Sequence, residues 1–274
     1  MRPEDYPAQD ELAEFAQGYA AEVMQRAAGI EAEDVLFGDD VYQRVGIHKP
    51  LHSNGAVFAF IHGGGWTNGY KEWNDFMAPA FTGRGVTFVT IGYRMAPMHI
   101  FPAGYDDCAA GLAWIYKNIA DYCGDPQRLY LGGHSAGGHY ASLLAIKKDW
   151  QSDLGIPQGI IRGCIPVSGV YRFGDGSGLT QRPRFLGEEG NSNAAAASPV
   201  LHINGATCPF LIAHGDKDFP HLITQAEEMA QALKKSGASA ERVVLPDSDH
   251  FGAHYLTGES NGKWTERILK FMAV

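Results

Sequence analysis

The sequence predicts an α/β fold: a doubly wound, mostly parallel sheet with helices on both faces. Two observations carry that prediction. Apolar runs of strand length alternate with helix-length amphipathic runs along the 274 residues, and such alternation specifies parallel strands joined by helical crossovers. Glycine-rich clusters fall where predicted strands give way to helices, the carboxyl edge at which such sheets place functional loops.

In chain order, Leu12, Phe15, Tyr19 and Val23 recur at three- and four-residue steps within residues 10–28. This amphipathic helix either covers core surface or caps the mouth of a site. Residues 41–48 alternate in strand fashion and Pro50 ends them. Residues 56–61, Ala-Val-Phe-Ala-Phe-Ile, form a continuous apolar run suited to a buried strand. A helix over 74–82, a strand over 86–91 and an irregular segment over 92–97 follow. A helix over 105–122 closes near Gly124, with Asp125-Pro126 as a stop. A short strand over 128–131 leads through small residues into a helix-forming run over 136–148. Residues 160–167 read as another strand. The excursion over 173–198, rich in Gly, Asn and Ala, is expected to shape the pocket. A strand over 209–213, a helix near 224–235, a strand over 242–245 and a last helix from Trp264 complete the alternation. Without linker, repeat or low-complexity tract, residues 1–274 read as one domain.

Composition excludes several classes. Apolar residues make up 45% and charged residues 19%, an ordinary globular balance. A formal net charge of −9 without a basic run argues against nucleic acid. The start of the chain has no apolar leader, and no run approaches the roughly 20 apolar residues of a membrane span. The expectation is a cytoplasmic protein without a membrane partner. The four cysteines are widely spaced and form no C-x-x-C, as buried free thiols in a reducing compartment would. Eleven histidines invite a metal reading, but H-E-x-x-H is missing. His250 and His254 lie four apart with no further ligand pattern beside them, so neither metal nor cofactor is expected. Oligomeric state, a homodimer included, stays open.

The chemistry concentrates in one constellation. Gly133-His134-Ser135-Ala136-Gly137 fits the G-x-S-x-G nucleophile elbow in its strand–turn–helix setting. Its glycines let strand and helix approach, and the following helix points unpaired N–H groups at the serine. Upstream, the 56–61 strand ends in His62-Gly63-Gly64-Gly65-Trp66, a segment whose backbone N–H groups can turn toward a developing negative charge. The oxyanion hole is assigned to the N–H groups of Gly64, Gly65 and Ala136. A serine needs a base and the base an orienting carboxylate. Each is expected at the end of a later strand. His250 is the expected base, with His254 the alternative further along. Asp218 is preferred as the acid, with Asp216 the competitor better suited to stabilising the turn. Trp66, Tyr93, Phe219 and Phe251 flank the site as substrate-pocket candidates, each equally suited to the core. His134 is expected to pack structurally, His62 to hold the glycine loop, and Tyr93-Arg94 to support its neighbour.

With these residues in view, the chain resembles the α/β-hydrolase superfamily, in particular its H-G-G-G-bearing esterases, from about Gly38 onward. The resemblance rests on His62 to Trp66, Tyr93-Arg94-Met95-Ala96-Pro97, Phe101-Pro102-Ala103, Gly133 to Gly138, Ala197-Ser198-Pro199, His214-Gly215-x-x-Asp218 and His250. Hormone-sensitive-lipase-like carboxylesterases share the triple glycine and the Tyr-Arg-x-Ala-Pro segment. They usually carry Asp where this chain has His134, and a longer N-terminal cap. The kynurenine-formamidase-like branch shares the H-G-G-x-W start, the G-H-S-A-G elbow and a segment like Ser168-Gly169-Val170-Tyr171. The resemblance implies an α/β-hydrolase fold and a Ser135–Asp218–His250 hydrolase of a small carboxylic ester. The alternative is an arylformamidase acting on N-formyl aryl amides such as N-formylkynurenine. A third class, a hydrolase fold kept as a ligand receptor, usually shows a damaged triad, whereas this chain offers a candidate for every role.

Overall fold

The computed structural model describes residues 1–179, 183–205 and 207–274. In chain order its elements are α1 (Glu14–Ala27), β1 (Glu33–Leu36), β2 (Arg44–His48), β3 (Gly55–Ile61), α2 (Ala78–Thr82), β4 (Thr87–Ile91), α3 (Ala103–Asn118), β5 (Gly124–His134), α4 (Ala136–Ile146), α5 (Asp149–Asp153), β6 (Ile161–Val167), α6 (Asn193–Ala196), β7 (Phe210–Gly215), α7 (Pro220–Lys235), β8 (Ala240–Leu245), α8 (His250–Thr257) and α9 (Lys263–Phe271). The strands form one sheet in the order β1-β2-β4-β3-β5-β6-β7-β8. β1 and β2 pair antiparallel, and every pairing from β4 across to β8 is parallel.

Side chains alternate across a strand, so the unbroken apolar run of β3 must meet core on both faces. Val57, Ala59 and Ile61 join Leu112 of α3, Leu143 of α4 and Met229 of α7 on one side. Ala56, Phe58 and Phe60 join Val23 of α1, Ala253 of α8 and Ile268 of α9 on the other. Each fully buried Phe, Leu or Ile side chain stabilises by roughly 1.5–3 kcal/mol.

Register places the functional loops together. Ile61 of β3 lies opposite Gly133 of β5, His134 opposite Val167 of β6, and Gly215 of β7 opposite Leu245 of β8. The turns after β3, β5, β6, β7 and β8 therefore leave one edge at one level.

Several details differ from the sequence expectation, β5 among them, which runs Gly124–His134 where a strand over 128–131 was expected. β1 is an additional short edge strand, and β2 starts at Arg44 because residues 41–43 belong to the turn joining them. The expected 74–82 helix is a 3-10 segment, Lys71–Met77, followed by α2, where Pro79 occupies the first turn and its missing N–H costs nothing. His250 opens a short helix, α8, that was not among the expected elements. All four cysteines are free, but Cys123 is exposed and Cys208 only half-buried.

Candidate active site

Ser135 stands between β5 and α4 with φ 55° and ψ −117°, a strained turn for a residue with a Cβ. A Cβ on Gly133 would overlap the Gly137 backbone, and one on Gly137 would overlap the Ile61 carbonyl. Strand, turn and helix reach this separation only because both positions lack side chains. The elbow is tied to the next strand by Ser135 N–H to the Val167 carbonyl, 2.9 Å.

Two other loops converge on this hydroxyl. His250 Nε2 lies 3.0 Å from Ser135 Oγ, and its Nδ1 lies 2.9 Å from Asp218 Oδ1. With Nδ1–H donating to the carboxylate, Nε2 is left as an acceptor for the serine hydroxyl. Asp249 caps α8 by accepting from the Phe251 and Gly252 N–H groups, so the His250 backbone is fixed at a helix start. The Asp218 side chain is fully buried. Burial pushes its carboxyl up, but the bonds from His250, Ser168 and the Phe219 N–H outweigh it and hold the pKa below the usual range.

Ser168 was not among the expected site residues. It follows β6 directly, is 1% exposed with φ 52°, and donates its hydroxyl to Asp218 Oδ2 at 2.5 Å. Its position just past a predicted strand end was the available signal.

The alternatives weighed in the sequence fall elsewhere. His254 is fully buried, bonded through Nδ1 to Tyr19 Oη at 2.9 Å, and burial holds its pKa down to about 3. Asp216 accepts the Ser248 N–H at 3.0 Å and so braces the turn after β7.

The glycine loop after β3 curls over the serine. Gly64 adopts φ 114°, and a Cβ there would overlap the Asn68 carbonyl. Among the described residues, the Gly64 and Gly65 N–H groups make no hydrogen bond. The Ala136 N–H belongs to the first residue of α4, where a helix offers it no internal partner. His62 donates Nδ1–H to the Gly63 carbonyl at 2.7 Å, and burial lowers its pKa to about 4, keeping it neutral.

Tyr93 requires a correction. It is fully buried, stacked on His62 with centroids 4.2 Å apart, and donates its hydroxyl to the His62 carbonyl at 3.1 Å. It braces the glycine loop from behind and does not line the cavity. Arg94 beside it pairs with Asp107 through both guanidinium and backbone N–H.

Ser135 and His250 open into a cavity of about 330 Å³. Trp66, Phe219 and Phe251 line it, as do Leu12, Phe15 and Ala16 from the N-terminal segment. The amphipathic N-terminal helix therefore covers core through Tyr19, Val23 and Ala27 and also walls the cavity. Gln9 exchanges two hydrogen bonds with the Gly69 backbone, fastening the segment ahead of α1 to the end of the glycine loop. Trp66 serves two purposes: its indole N–H donates to His139 Nδ1 at 3.0 Å, and its ring stacks on Phe185 at 4.4 Å. Leu179 is the lining residue from the 173–198 excursion, of which residues 180–182 lie outside the described residues. A larger cleft of about 430 Å³, beside Lys147, Asp149 and His202, includes none of these bonded groups among its described lining residues. The described residues hold no cluster of three or more His, Cys, Asp or Glu suited to a metal, and no helix long and apolar enough to cross a membrane.

The α/β fold thus presents a hydrogen-bonded serine, histidine and aspartate at the carboxyl edge of its sheet. A family model described as the alpha/beta hydrolase fold matches residues 58–254, and the chain belongs to that family. It is 29% identical over 238 residues to the probable isoprenylcysteine alpha-carbonyl methylesterase of Arabidopsis thaliana, covering 79% of this chain and 50% of that protein. The chain thus spans about half the length of such methylesterase relatives. To the kynurenine formamidase of Salmo salar it is 26% identical, covering 90% of this chain and 85% of that protein. The solved esterase of Pyrobaculum calidifontis superposes with a TM-score of 0.76 at 21% identity, covering 94% of this chain and 90% of that one.

Proposed function

We propose that the protein is a serine esterase of small carboxylic esters, working through an acyl-enzyme on Ser135. One observation carries the reading: Ser135 Oγ, His250 and Asp218 form a continuous hydrogen-bonded chain whose Ser135 and His250 line the cavity. Ser135 attacks the ester carbonyl while His250 Nε2 takes its proton, and Asp218 holds the imidazole tautomer and stabilises the imidazolium. The N–H groups of Gly64, Gly65 and Ala136 stabilise the oxyanion, each such donor contributing about 3–4 kcal/mol in comparable sites. His250 returns the proton to the departing alkoxide. Water, deprotonated by the same histidine, then releases the acid. No cofactor is required for this sequence of steps.

The cavity supports an apolar substrate portion. Phe15, Phe219 and Phe251 meet at its mouth with centroids 6.2 Å apart in two of the pairs, and the Phe219 ring lies 4.9 Å from that of His250. A second reading, an arylformamidase, is favoured by the near full-length match to kynurenine formamidase. The deciding experiment measures kcat/KM on short-chain p-nitrophenyl esters and on N-formylkynurenine side by side, with Ser135→Ala as control. Esters cleaved and formamide untouched is the expected result. A large preference for the formamide overturns it in favour of the second reading, and full activity in Ser135→Ala overturns both.

A further inference from the structure

His134 and Ser135 are consecutive, and both bond the same residue. Ser135 Oγ meets the His250 imidazole at 3.0 Å, while His134 Nε2 meets the His250 main-chain carbonyl at 2.9 Å. The two contacts fall on opposite ends of His250, side chain and backbone. A carbonyl only accepts, so Nε2 carries the proton of His134. We propose that His134 is a positioning residue: its Nε2–H clamps the His250 backbone to the end of β5, fixing the distance between nucleophile and base. The proposal rests on the esterase reading above.

The surroundings of His134 fit this role better than that of filler. Its ring is 1% exposed, stacked on His254 at 4.6 Å with an 8° interplanar angle, and tilted against the His250 ring at 4.7 Å. Burial, then the neighbouring His254 and His250, hold its pKa well below the ordinary histidine value, so the ring stays neutral with a single N–H. Its other nitrogen, Nδ1, is buried without a partner among the described residues. A phenylalanine would fill the same space without stranding a polar atom. What the imidazole adds, and a hydrocarbon ring would not, is one N–H aimed at the His250 carbonyl. His254 behind it is held in turn by Tyr19 of α1, so the clamp is backed by a packed stack rather than by solvent.

This arrangement explains how a base on α8 keeps register with a nucleophile on β5. The two lie 115 residues apart in sequence, and two strands, β6 and β7, separate β5 from β8, which leads into His250. Asp218 orients the imidazole through its Nδ1 bond, and the Asp249 cap fixes the His250 backbone within α8, but neither ties α8 to the end of β5. The bond from His134 to the His250 carbonyl supplies that tie. Proximity of this kind acts on the chemical step rather than on binding.

The test separates the donor from the packing. His134→Phe keeps ring volume and loses the N–H, whereas His134→Gln keeps an N–H at the ε position. On p-nitrophenyl acetate, His134→Phe is expected to lower kcat about tenfold with KM within about twofold, and His134→Gln to recover kcat to within about threefold of wild type. The rate of Ser135 phosphorylation by diethyl p-nitrophenyl phosphate should fall in parallel with kcat. Should His134→Phe fail to fold, His134→Asn, whose shorter amide does not reach the carbonyl, takes its place with the same expected loss. Equal kcat in the donor and non-donor variants, or a loss confined to KM, overturns the clamp. The esterase reading fails separately, if Ser135→Ala remains active or if N-formylkynurenine is strongly preferred over the esters.

Discussion

Ser168→Ala is the most informative single change outside the reacting residues. Asp218 accepts three bonds: from Ser168 Oγ at 2.5 Å, the Phe219 N–H at 2.8 Å and His250 Nδ1 at 2.9 Å. A hydrogen bond to a buried charged group contributes about 1.5–3 kcal/mol, and alanine deletes one of the three. For a domain of this size that corresponds to a Tm loss of roughly 3–10 °C. The two remaining bonds still orient the imidazole, so kcat should fall only about tenfold, or 1.4 kcal/mol of barrier. The pH dependence provides the signature. Because the folded pKa of Asp218 lies below the unfolded value of about 3.9, its carboxylate stabilises the fold above that pH. That contribution is lost as pH falls through the folded pKa. Removing Ser168 raises the folded pKa toward the unfolded one. Differential scanning calorimetry should therefore show the full Tm gap between wild type and variant at neutral pH and a shrinking gap below about pH 4. Wild-type Tm and kcat in the variant, or a gap that does not change with acidification, refutes the assignment.

The remaining predictions test other parts of the site. Gly137→Ala places a methyl into the Ile61 carbonyl and should destabilise by about 4 kcal/mol or more, read as loss of soluble folded protein or a collapsed Tm. His250→Ala should lower kcat/KM roughly a thousandfold or more, whereas His254→Phe should retain activity within about tenfold, because His254 is a buried partner of Tyr19. Equal losses in those two would show that the base was misassigned. Phe15→Ala opens the cavity wall and should cut the kcat/KM ratio of p-nitrophenyl hexanoate to acetate by about three- to tenfold. An unchanged ratio would place the acyl chain elsewhere.

How much of this was legible in the sequence follows from which constraints are local. The elbow glycines, the triple glycine after β3 and the apolar strands each obey a geometric rule spanning a few residues. Their spacing therefore announces them, and it placed Ser135, Asp218 and His250 close enough in topology to meet. Ser168 is different. Its role comes from β6 lying beside β7, and its partner Asp218 is 50 residues away, so its place past a strand end does not disclose that partner. Tyr93 shows the converse failure. It follows the end of β4 at the correct edge, yet its ring turns under His62, because which side of a loop a side chain takes is decided by packing. Helix α8 was hidden by Gly252 within its first turn, and only the Asp249 cap reveals why the helix starts at His250. The clamp from His134 was invisible for the same reason as Ser168: it joins neighbours in space whose sequence separation is 116.

If Ser135 is a nucleophile activated by His250, an organophosphate should modify it selectively. The measurement treats wild type, Ser135→Ala and His250→Ala with diethyl p-nitrophenyl phosphate and maps the adduct by peptide mass spectrometry. The expected product is one diethylphosphoryl group per chain, on the peptide bearing Ser135, absent from Ser135→Ala and formed far more slowly in His250→Ala. Stoichiometric labelling of Ser135→Ala at another residue, or an unchanged rate in His250→Ala, would contradict it.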